Sequence, residues 1–452
     1  MAEPLQVDIR VVESSAPVDH DALRNAVKSV SLSQDVGMAA EVEIVLDVWN
    51  AEAGEYDLPA ATARYHAYEF ELWDMDADIC LGRYVVESRD MSYGEDGPVL
   101  TVRAYDGLRQ FMKGTQSRVY QGFKRDTDWL VDLAADYGMG LDADVADFQP
   151  FVGDRFKEVS KTDLDFIRTI AMVNGLAMPS IDYDHDFELE YLRMRSLNAL
   201  TQGFGPLRLR VMPDGTGEGD LPSFSTEWDK GEVPTAVEVI GYDANTQKPY
   251  RVVVEATPGG PKTIIDEVRD ISKSEAQQVT PGKAGGDSPG VIKHTLGEGR
   301  ETADSGIFTP IVDSKGKKKR VRARREYREI LSTTFAEGVE SARAFAERWI
   351  ATRLEGYYVC HGNLMPNVPD LGRIAVSQVH QVVNCLPDDE GWYILTSVTH
   401  EWGSDGHQVS FDGQRLLTTT GQIPADSAVI KTPTKKPAKK KAPAKSMFGG
   451  LF

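Results

Sequence analysis

Residues 82–102 read Gly-Arg-Tyr-Val-Val-Glu-Ser-Arg-Asp-Met-Ser-Tyr-Gly-Glu-Asp-Gly-Pro-Val-Leu-Thr-Val, and residues 391–411 read Gly-Trp-Tyr-Ile-Leu-Thr-Ser-Val-Thr-His-Glu-Trp-Gly-Ser-Asp-Gly-His-Gln-Val-Ser-Phe. Aligned without a gap, Gly82, Tyr84, Ser88, Gly94, Asp96 and Gly97 meet Gly391, Tyr393, Ser397, Gly403, Asp405 and Gly406. Val85/Ile394, Val86/Leu395, Tyr93/Trp402, Leu100/Val409 and Val102/Phe411 match in character. Each copy is a β-branched and aromatic run, a Gly-x-Asp-Gly turn and an alternating run, the signature of a β-hairpin. One β-architecture therefore occurs twice, near the two ends of the chain. A chain that repeats a sheet edge without an obvious reaction centre reads as a building block.

Working outward, residues 5–12, 39–48, 67–74, 80–90 and 98–105 read as strands, with Val42, Ile44, Leu46 and Val48 on one face and Glu43 and Asp47 on the other. A helix pair follows, with an echo of its own. Asp128-Trp-Leu-Val-Asp-Leu-Ala-Ala-Asp-Tyr-Gly138 lines up with Asp165-Phe-Ile-Arg-Thr-Ile-Ala-Met-Val-Asn-Gly175. In each, an acid sits in the first turn, where it complements the helix dipole, and a glycine stands at the stop. Trp129, Leu130, Leu133 and Ala134, and likewise Phe166, Ile167, Ile170 and Ala171, form one apolar stripe, with Ser160 or Thr162 as the second helix's cap. Residues 234–256 read as a second hairpin around the turn 241–247. From Thr257 to Arg325 the pattern dissolves into Gly, Pro, Ser and Lys. An amphipathic helix at 339–354 and strands near 357–362, 372–380, 391–400 and 407–416 complete the folded text.

Length suits two to four domains, and 41% hydrophobic with 27% charged residues is the balance of an ordinary globular chain with sizeable cores. No apolar stretch approaches the ~18 residues that span a bilayer. The start, Met-Ala-Glu-Pro-Leu-Gln-Val-Asp, lacks the basic and apolar regions of a signal peptide, so synthesis and folding in a reducing cytoplasm and no membrane anchor are expected. Cys80, Cys360 and Cys385 are odd in number and carry no metal spacing, which argues against a disulfide framework. The net charge of −20 is uneven: residues 315–328 hold nine Lys or Arg and residues 431–445 hold seven Lys. Outside those stretches 34 basic residues face 69 acids, a charge of −35 that repels nucleic acid.

The order of parts resembles the late control protein D family, the baseplate hubs of contractile phage tails, and the hub portion of VgrG spike proteins. Four places carry the resemblance. Arg118-Val-Tyr-Gln121 with Asp126 to Gly138 is similar to the family's strand, Asp-rich helix start and Gly. Val159-Ser-Lys-Thr-Asp-Leu-Asp-Phe-Ile-Arg168 with Asn174-Gly175 resembles its most recognisable stretch, and Val239-Ile-Gly-Tyr-Asp243 with Lys248 the hairpin that opens its second barrel. Ala342 to Leu354 and then Tyr393 to His400 resemble its closing helix and strands.

The resemblance covers roughly residues 1–420 and implies an α+β fold of two similar antiparallel β-barrel, tube-like domains with a small α/β helix-pair domain between them. The boundaries expected are 1–115 for the first barrel, 116–225 for the helix-pair domain and 226–420 for the second barrel, with a long insertion at 257–325. It further implies a homotrimer of pseudo-sixfold symmetry that joins a hexameric tail tube to a trimeric spike, with no enzymatic role and no cofactor. The location implied is the baseplate of a virion or injection particle. The partners implied are the tail tube protein, other baseplate proteins and a tape measure protein, with genome DNA passing unbound. No β-helical repeat follows residue 420, so the spike is expected to be a separate protein. Residues 421–452 read as a flexible Lys/Pro/Ala tail. Its Lys439, Lys440 and Lys441 suit an acidic surface, and the apolar end Met447, Phe448, Leu451 and Phe452 suits docking on a neighbouring baseplate component.

Two other classes compete. A cell-wall hydrolase carried in the baseplate would need its catalytic residues within 257–325, and a nucleic-acid-binding module would use the two basic stretches, whose one aromatic at 315–328 is Tyr327. His361, His380, His400 and His407 fall on neighbouring strands but lack His-x-His or His-x-x-x-His spacing, so they read as satisfied strand histidines rather than as ligands. Asp182, Asp184, Asp186 and Glu188 lack the glycine and terminal Glu of a calcium loop and read as a solvated acidic turn. Gly203-Phe-Gly205 and Gly215-Thr-Gly217-Glu-Gly219 open no helix and are followed by no Lys-Ser/Thr, so they do not suit a phosphate.

Overall fold

Alternation of branched apolar and polar residues dominates the first hundred positions, and it builds strands β1 (Val7–Ser14), β2 (Val27–Asp35), β3 (Glu41–Asp47), β6 (Ala67–Asp74), β7 (Ile79–Gly94) and β8 (Gly97–Tyr105). A two-rung ladder, β4 (Trp49–Asn50) with β5 (Glu55–Tyr56), and helix α1 (His20–Ala26) decorate them. Asp19 caps α1 by accepting from the Ala22 N–H at 3.1 Å. The structure is a computed structural model. It describes residues 5–416 apart from 57–66, 149–154, 197–205, 213–218, 229–235, 268–290, 293–327, 333–338 and a few shorter segments. The chain is mostly antiparallel β-sheet with few helices.

The helix pair is α3 (Thr127–Asp136) and α4 (Asp163–Asn174), preceded by α2 (Leu108–Lys113). All eight residues of the expected stripe are fully buried, in one core with Leu108 and Phe111. Thr162 caps α4: its Oγ1 accepts from the Asp165 N–H at 3.0 Å, and Asp165 Oδ2 lies 2.8 Å from that hydroxyl. Gly138 takes φ +74°, the left-handed value that ends α3. Beneath the helices runs a small ribbon, β9 (Arg118–Tyr120) with β11 (Arg155–Lys157). A three-stranded sheet of β10 (Gly140–Ala143), β12 (Ser180–Asp184) and β13 (Leu189–Met194) completes this unit.

The ribbon sends cations under both helices. Arg155 Nε lies 2.8 Å from Asp126 Oδ1, and Lys157 Nζ lies 2.8 Å from Asp163 Oδ1, with all four side chains buried. Trp129 Nε1 and Asn174 Nδ2 also donate to Asp126, each at 3.0 Å. Asp126 and Asp163 occupy the same position in the helix echo, two residues before Asp128 and Asp165. The acids that matter most to packing are therefore those two, rather than Asp128 and Asp165, which dipole reasoning singles out.

The remaining strands are β14 (Arg208–Arg210), β15 (Ser223–Trp228), β16 (Ala236–Asp243), β17 (Lys248–Thr257), β18 (Gly260–Glu267), β19 (Val291–Ile292), β20 (Arg328–Ser332), β21 (Tyr358–Leu364), β22 (Val379–Val383), β23 (Gly391–Gly403) and β24 (Gly406–Arg415). The hairpin read at 234–256 forms as β16 and β17, with Asp243 opposite Lys248. It belongs to a five-stranded sheet, β18-β17-β16-β20-β19, rather than to the large one. Helix α5 (Val339–Glu355) covers it through Ala342, Phe345, Ala346 and Ile350. Two expectations need correction. Strand β18 lies within 257–325, where no pattern is expected, and it forms on the edge that Val252 to Val254 of β17 offer it. The strand expected at 372–380 is a short 3-10 turn, Leu371–Arg373, and the pairing begins only at Val379.

All other long strands join one twelve-stranded sheet in the order β1-β6-β7-β8-β3-β2-β23-β24-β21-β15, with β22 on β23 and β14 on β22. Within it a pattern repeats register for register. In hairpin β7–β8, Val86 faces Ala104 and Ser88 faces Arg103; in β23–β24, Leu395 faces Gly413 and Ser397 faces Asp412. Both hairpins thus bulge at the same aligned residue, Glu87 and Thr396, and close on Gly94/Gly97 and Gly403/Gly406, with Gly97 at φ +97° and Gly406 at φ +90°. On one side β3 pairs β8 as β21 pairs β24, and β2 pairs β3 as β15 pairs β21. On the other side β6 pairs β7 as β22 pairs β23. The sixth strands differ: β1 is antiparallel to β6, whereas β14 is parallel to β22.

Candidate assembly surface

The two six-strand units meet where β2 pairs with β23. Val30 lies opposite Trp402, Leu32 opposite His400, Ser33 opposite Thr399 and Asp35 opposite Ser397. The alternation Ser29-Val-Ser-Leu-Ser33 makes this possible: Val30 and Leu32 are buried, while the serines share the polar face, where Ser33 Oγ lies 3.4 Å from Thr399 Oγ1. Trp402, from the second unit, is 1% exposed and packs in the core of the first.

Behind Trp402 two histidines stack. His407 lies 4.4 Å from the indole, centroid to centroid, and 5.3 Å from His400. His400 Nε2 lies 2.8 Å from the Ile374 carbonyl, which assigns the proton to that nitrogen and leaves Nδ1 to accept from His407 Nε2 at 3.1 Å. Burial, reinforced by the neighbouring His407, drives His400 down to about 4. On the far side His407 Nδ1 faces Asp74 at 3.5 Å, in a cleft lined also by Gln6, Asp370, Gly372 and Gly406.

The four histidines weighed as ligands are thus split among three places. His361 pairs with Asp412 at 2.6 Å on the exposed face. His380 is fully buried, accepts the Leu207 N–H on Nδ1 at 3.2 Å and faces Gln378 Oε1 with Nε2 at 3.2 Å. Of the acidic run, Asp182 pairs with Arg193 and Asp184 accepts the N–H groups of Asp186 and Phe187, which closes the β12–β13 turn. Gly203, Gly205, Gly215, Gly217, residues 315–327 and the whole tail, with Lys439, Lys440, Lys441, Met447, Phe448, Leu451 and Phe452, lie outside the described residues.

Among the described residues the ligand atoms that converge are those of Glu71, Cys80 and His185, a set with no sequence spacing to announce it. Glu71 Oε1 accepts from Tyr183 at 2.6 Å and contacts His185 Nδ1 at 3.0 Å, while Oε2 accepts from Trp73 Nε1 at 2.9 Å. Burial works to raise the Glu71 carboxyl, but these bonds outweigh it and hold it below the ordinary range. Burial pushes the Cys80 thiol up to about 11, so it stays protonated. A carboxylate already engaged on both oxygens, beside a neutral thiol, works as a clasp between β6 and the helix-pair unit.

His380 yields a pH test. Burial lowers it from the usual 6.5 to about 4. At pH 7 folded and unfolded chains both hold it neutral; as pH falls, the unfolded chain takes up the proton first, so stability is lost between about 6.5 and 4. At pH 5 this amounts to ~2 kcal/mol. The loss of urea-derived stability between pH 7 and pH 5 should therefore be ~2 kcal/mol smaller in His380→Asn, whose Oδ1 can replace the Nδ1 acceptor, than in the natural protein, with His400 and His407, lowered to about 4 as well, titrating in both. Equal shifts would show that the ring does not titrate this way.

The repeat leaves two strand edges without a counterpart. β2 is sandwiched between β3 and β23, but among the described residues its equivalent β15 pairs with β21 alone; the distal half of β23 lies between β24 and β2, but among the described residues the equivalent stretch of β7, 88–94, pairs with β8 alone. Tyr93, which occupies the position of Trp402, is 71% exposed. No helix among the described residues is long and apolar enough to cross a membrane.

No family model matches the chain, and no curated protein matches it by sequence. By fold it is similar to the tail protein from Neisseria meningitidis MC58, with 9% identity over 91% of this chain and 97% of that one and a TM-score of 0.57. It is likewise similar to the 43 kDa tail protein of prophage MuSo2 from Shewanella oneidensis, with 9% identity over 91% and 99% and a TM-score of 0.55. An E. coli component of the type VI secretion system aligns over 90% of this chain and 76% of that one at 10% identity, with a TM-score of 0.46. The chain has the fold of phage tail proteins along nearly its whole length.

Proposed function

We propose that this protein is a structural baseplate hub of a contractile phage tail or a tail-like injection system, a trimeric adaptor between a hexameric tail tube and a separate trimeric spike. The observation that carries the reading is the register-for-register repeat of β2, β3, β6, β7 and β8 as β15, β21, β22, β23 and β24, down to the bulges at Glu87 and Thr396. Two equivalent units per chain give three chains six quasi-equivalent positions, the number a hexameric tube presents. Each unit has its own apolar core and corresponds to one barrel-like domain of the ring.

The polar face of the sheet carries Ser29, Ser31, Ser33, Glu43, Glu401 and Gln408, with the cation Arg103 held in ion pairs to Glu43 and Asp90, and this face lines the lumen through which the cargo passes. Such a wall repels a polyanion without binding it. The tail docks its apolar end on a neighbouring baseplate component. No step of this role needs a cofactor or a reaction.

The purified protein, or the ring released from particles, is expected to have a mass three times that of the 49.9 kDa chain. A stable monomer that never joins a ring, even with tube protein added, would refute the reading.

A further inference from the structure

The junction between β2 and β23 is a template for a second junction that the described residues of one chain leave open. By the repeat, Ser29 to Ser33 of β2 correspond to Ser223 to Glu227 of β15, since Val30 faces Ile44 as Phe224 faces Gly362, the aligned residue of β21. Trp402, Glu401, His400 and Thr399 of β23 correspond in the same way to Tyr93, Ser92, Met91 and Asp90 of β7.

We propose that β15 of one copy adds to the open edge of β7 at residues 88–94 of a second copy, antiparallel, with Phe224 opposite Tyr93, Ser225 opposite Ser92, Thr226 opposite Met91 and Glu227 opposite Asp90. The proposal rests on the ring reading above and specifies its seam.

Three observations converge on it. Among the described residues neither edge has a second strand beside it, and an open strand edge is a template for another strand. Their partners in the repeat already pair with each other, so the geometry of the seam is demonstrated once inside the molecule. Tyr93 is a large aromatic left in solvent at the position where its counterpart is buried by that pairing. The contact is head-to-tail, β15 of one copy to β7 of the next, which is the heterologous kind that closes into a ring. Its one unfavourable rung is Glu227 against Asp90, and Arg103, whose Nη1 lies 3.3 Å from Asp90, is the cation available to both.

Disulfide trapping in the full-length chain tests the register. Ser92 and Ser225 are exposed, so replacing both with cysteine leaves the fold intact. Under mild oxidation S92C/S225C should give linked dimers and a closed trimer on a non-reducing gel, with nothing larger. The single variants S92C and S225C should remain unlinked, which accounts for Cys80 and Cys385, and S92C/T226C should link far less because its two side chains point to opposite faces. Tyr93→Asp should shift the native mass toward monomer.

Trimers by mass in which S92C/S225C fails to link, or in which S92C/T226C links as well, overturn this seam and leave the hub reading standing. Linkage into an open ladder beyond three overturns the closed ring and keeps the strand pairing. A protein that is monomeric by mass and unlinked overturns both.

Discussion

Asp163→Ala is expected to lower the unfolding free energy by ~3–5 kcal/mol, the cost of leaving a buried charge without its partner. Asp163 sits at the first turn of α4, where Lys157 Nζ lies 2.8 Å from one oxygen while Arg118 Nη2 at 3.1 Å and Tyr137 OH at 2.5 Å hold the other. With the carboxylate gone, the buried ammonium keeps only the carbonyls of Gly114 and Lys161, at 3.3 and 2.9 Å. Urea denaturation at pH 7 reads the effect, and removing the cation too, in Lys157→Met/Asp163→Leu, should recover much of the loss because no uncompensated charge remains. An Asp163→Ala midpoint equal to that of the parent would mean that Lys157 reaches water in the folded protein.

Phe166→Ala is the second large effect, expected to cost ~3–5 kcal/mol as a large-to-small change in a core. Phe166 is fully buried, with its ring 5.2 Å from that of Trp129 on the partner helix and 6.4 Å from that of Tyr120 on the ribbon. The side chain therefore ties both helices to the strands below. Thermal melts of parent and variant measure the loss. If the two melt alike, the stripe does not form the core on which this description of the helix pair depends.

Much of this architecture is legible in the sequence because it is written in periodicity. The stripe of α3 and α4 could be read residue by residue, since eight apolar positions at helical spacing have one face to go to. The hairpin repeat could be read because its turn is pinned by glycines and its register by the turn. What escaped is as instructive. The junction strand β2 and its counterpart β15 were both overlooked, although Ser29-Val-Ser-Leu-Ser33 and Ser223-Phe-Ser-Thr-Glu227 share the alternation of serine with larger residues. Short strands flanked by polar text give little hydrophobic signal on their own; their identity as edges depends on a partner far away in the chain. The roles of Asp126 and Asp163 were hidden for a related reason: nothing local says that an acid at a helix start will be met from below by Arg155 or Lys157. The Glu71–Tyr183–His185 clasp likewise joins residues separated by more than a hundred positions, and only the fold brings them together.

The pairing of β2 with β23 also dictates when the chain can finish folding. Ser33 and Thr399, which touch across it, are 366 residues apart. A ribosome that adds about 5–20 residues per second needs on the order of 20–70 s to span that interval. Throughout it the first unit stands with the edge of β2 open and with the place of Trp402 in its core unfilled. Contacts of such sequence separation also form slowly once the chain is free. The nascent protein therefore passes through a long phase in which its N-terminal sheet offers a ready edge to any strand nearby, including the same strand on a neighbouring polysome.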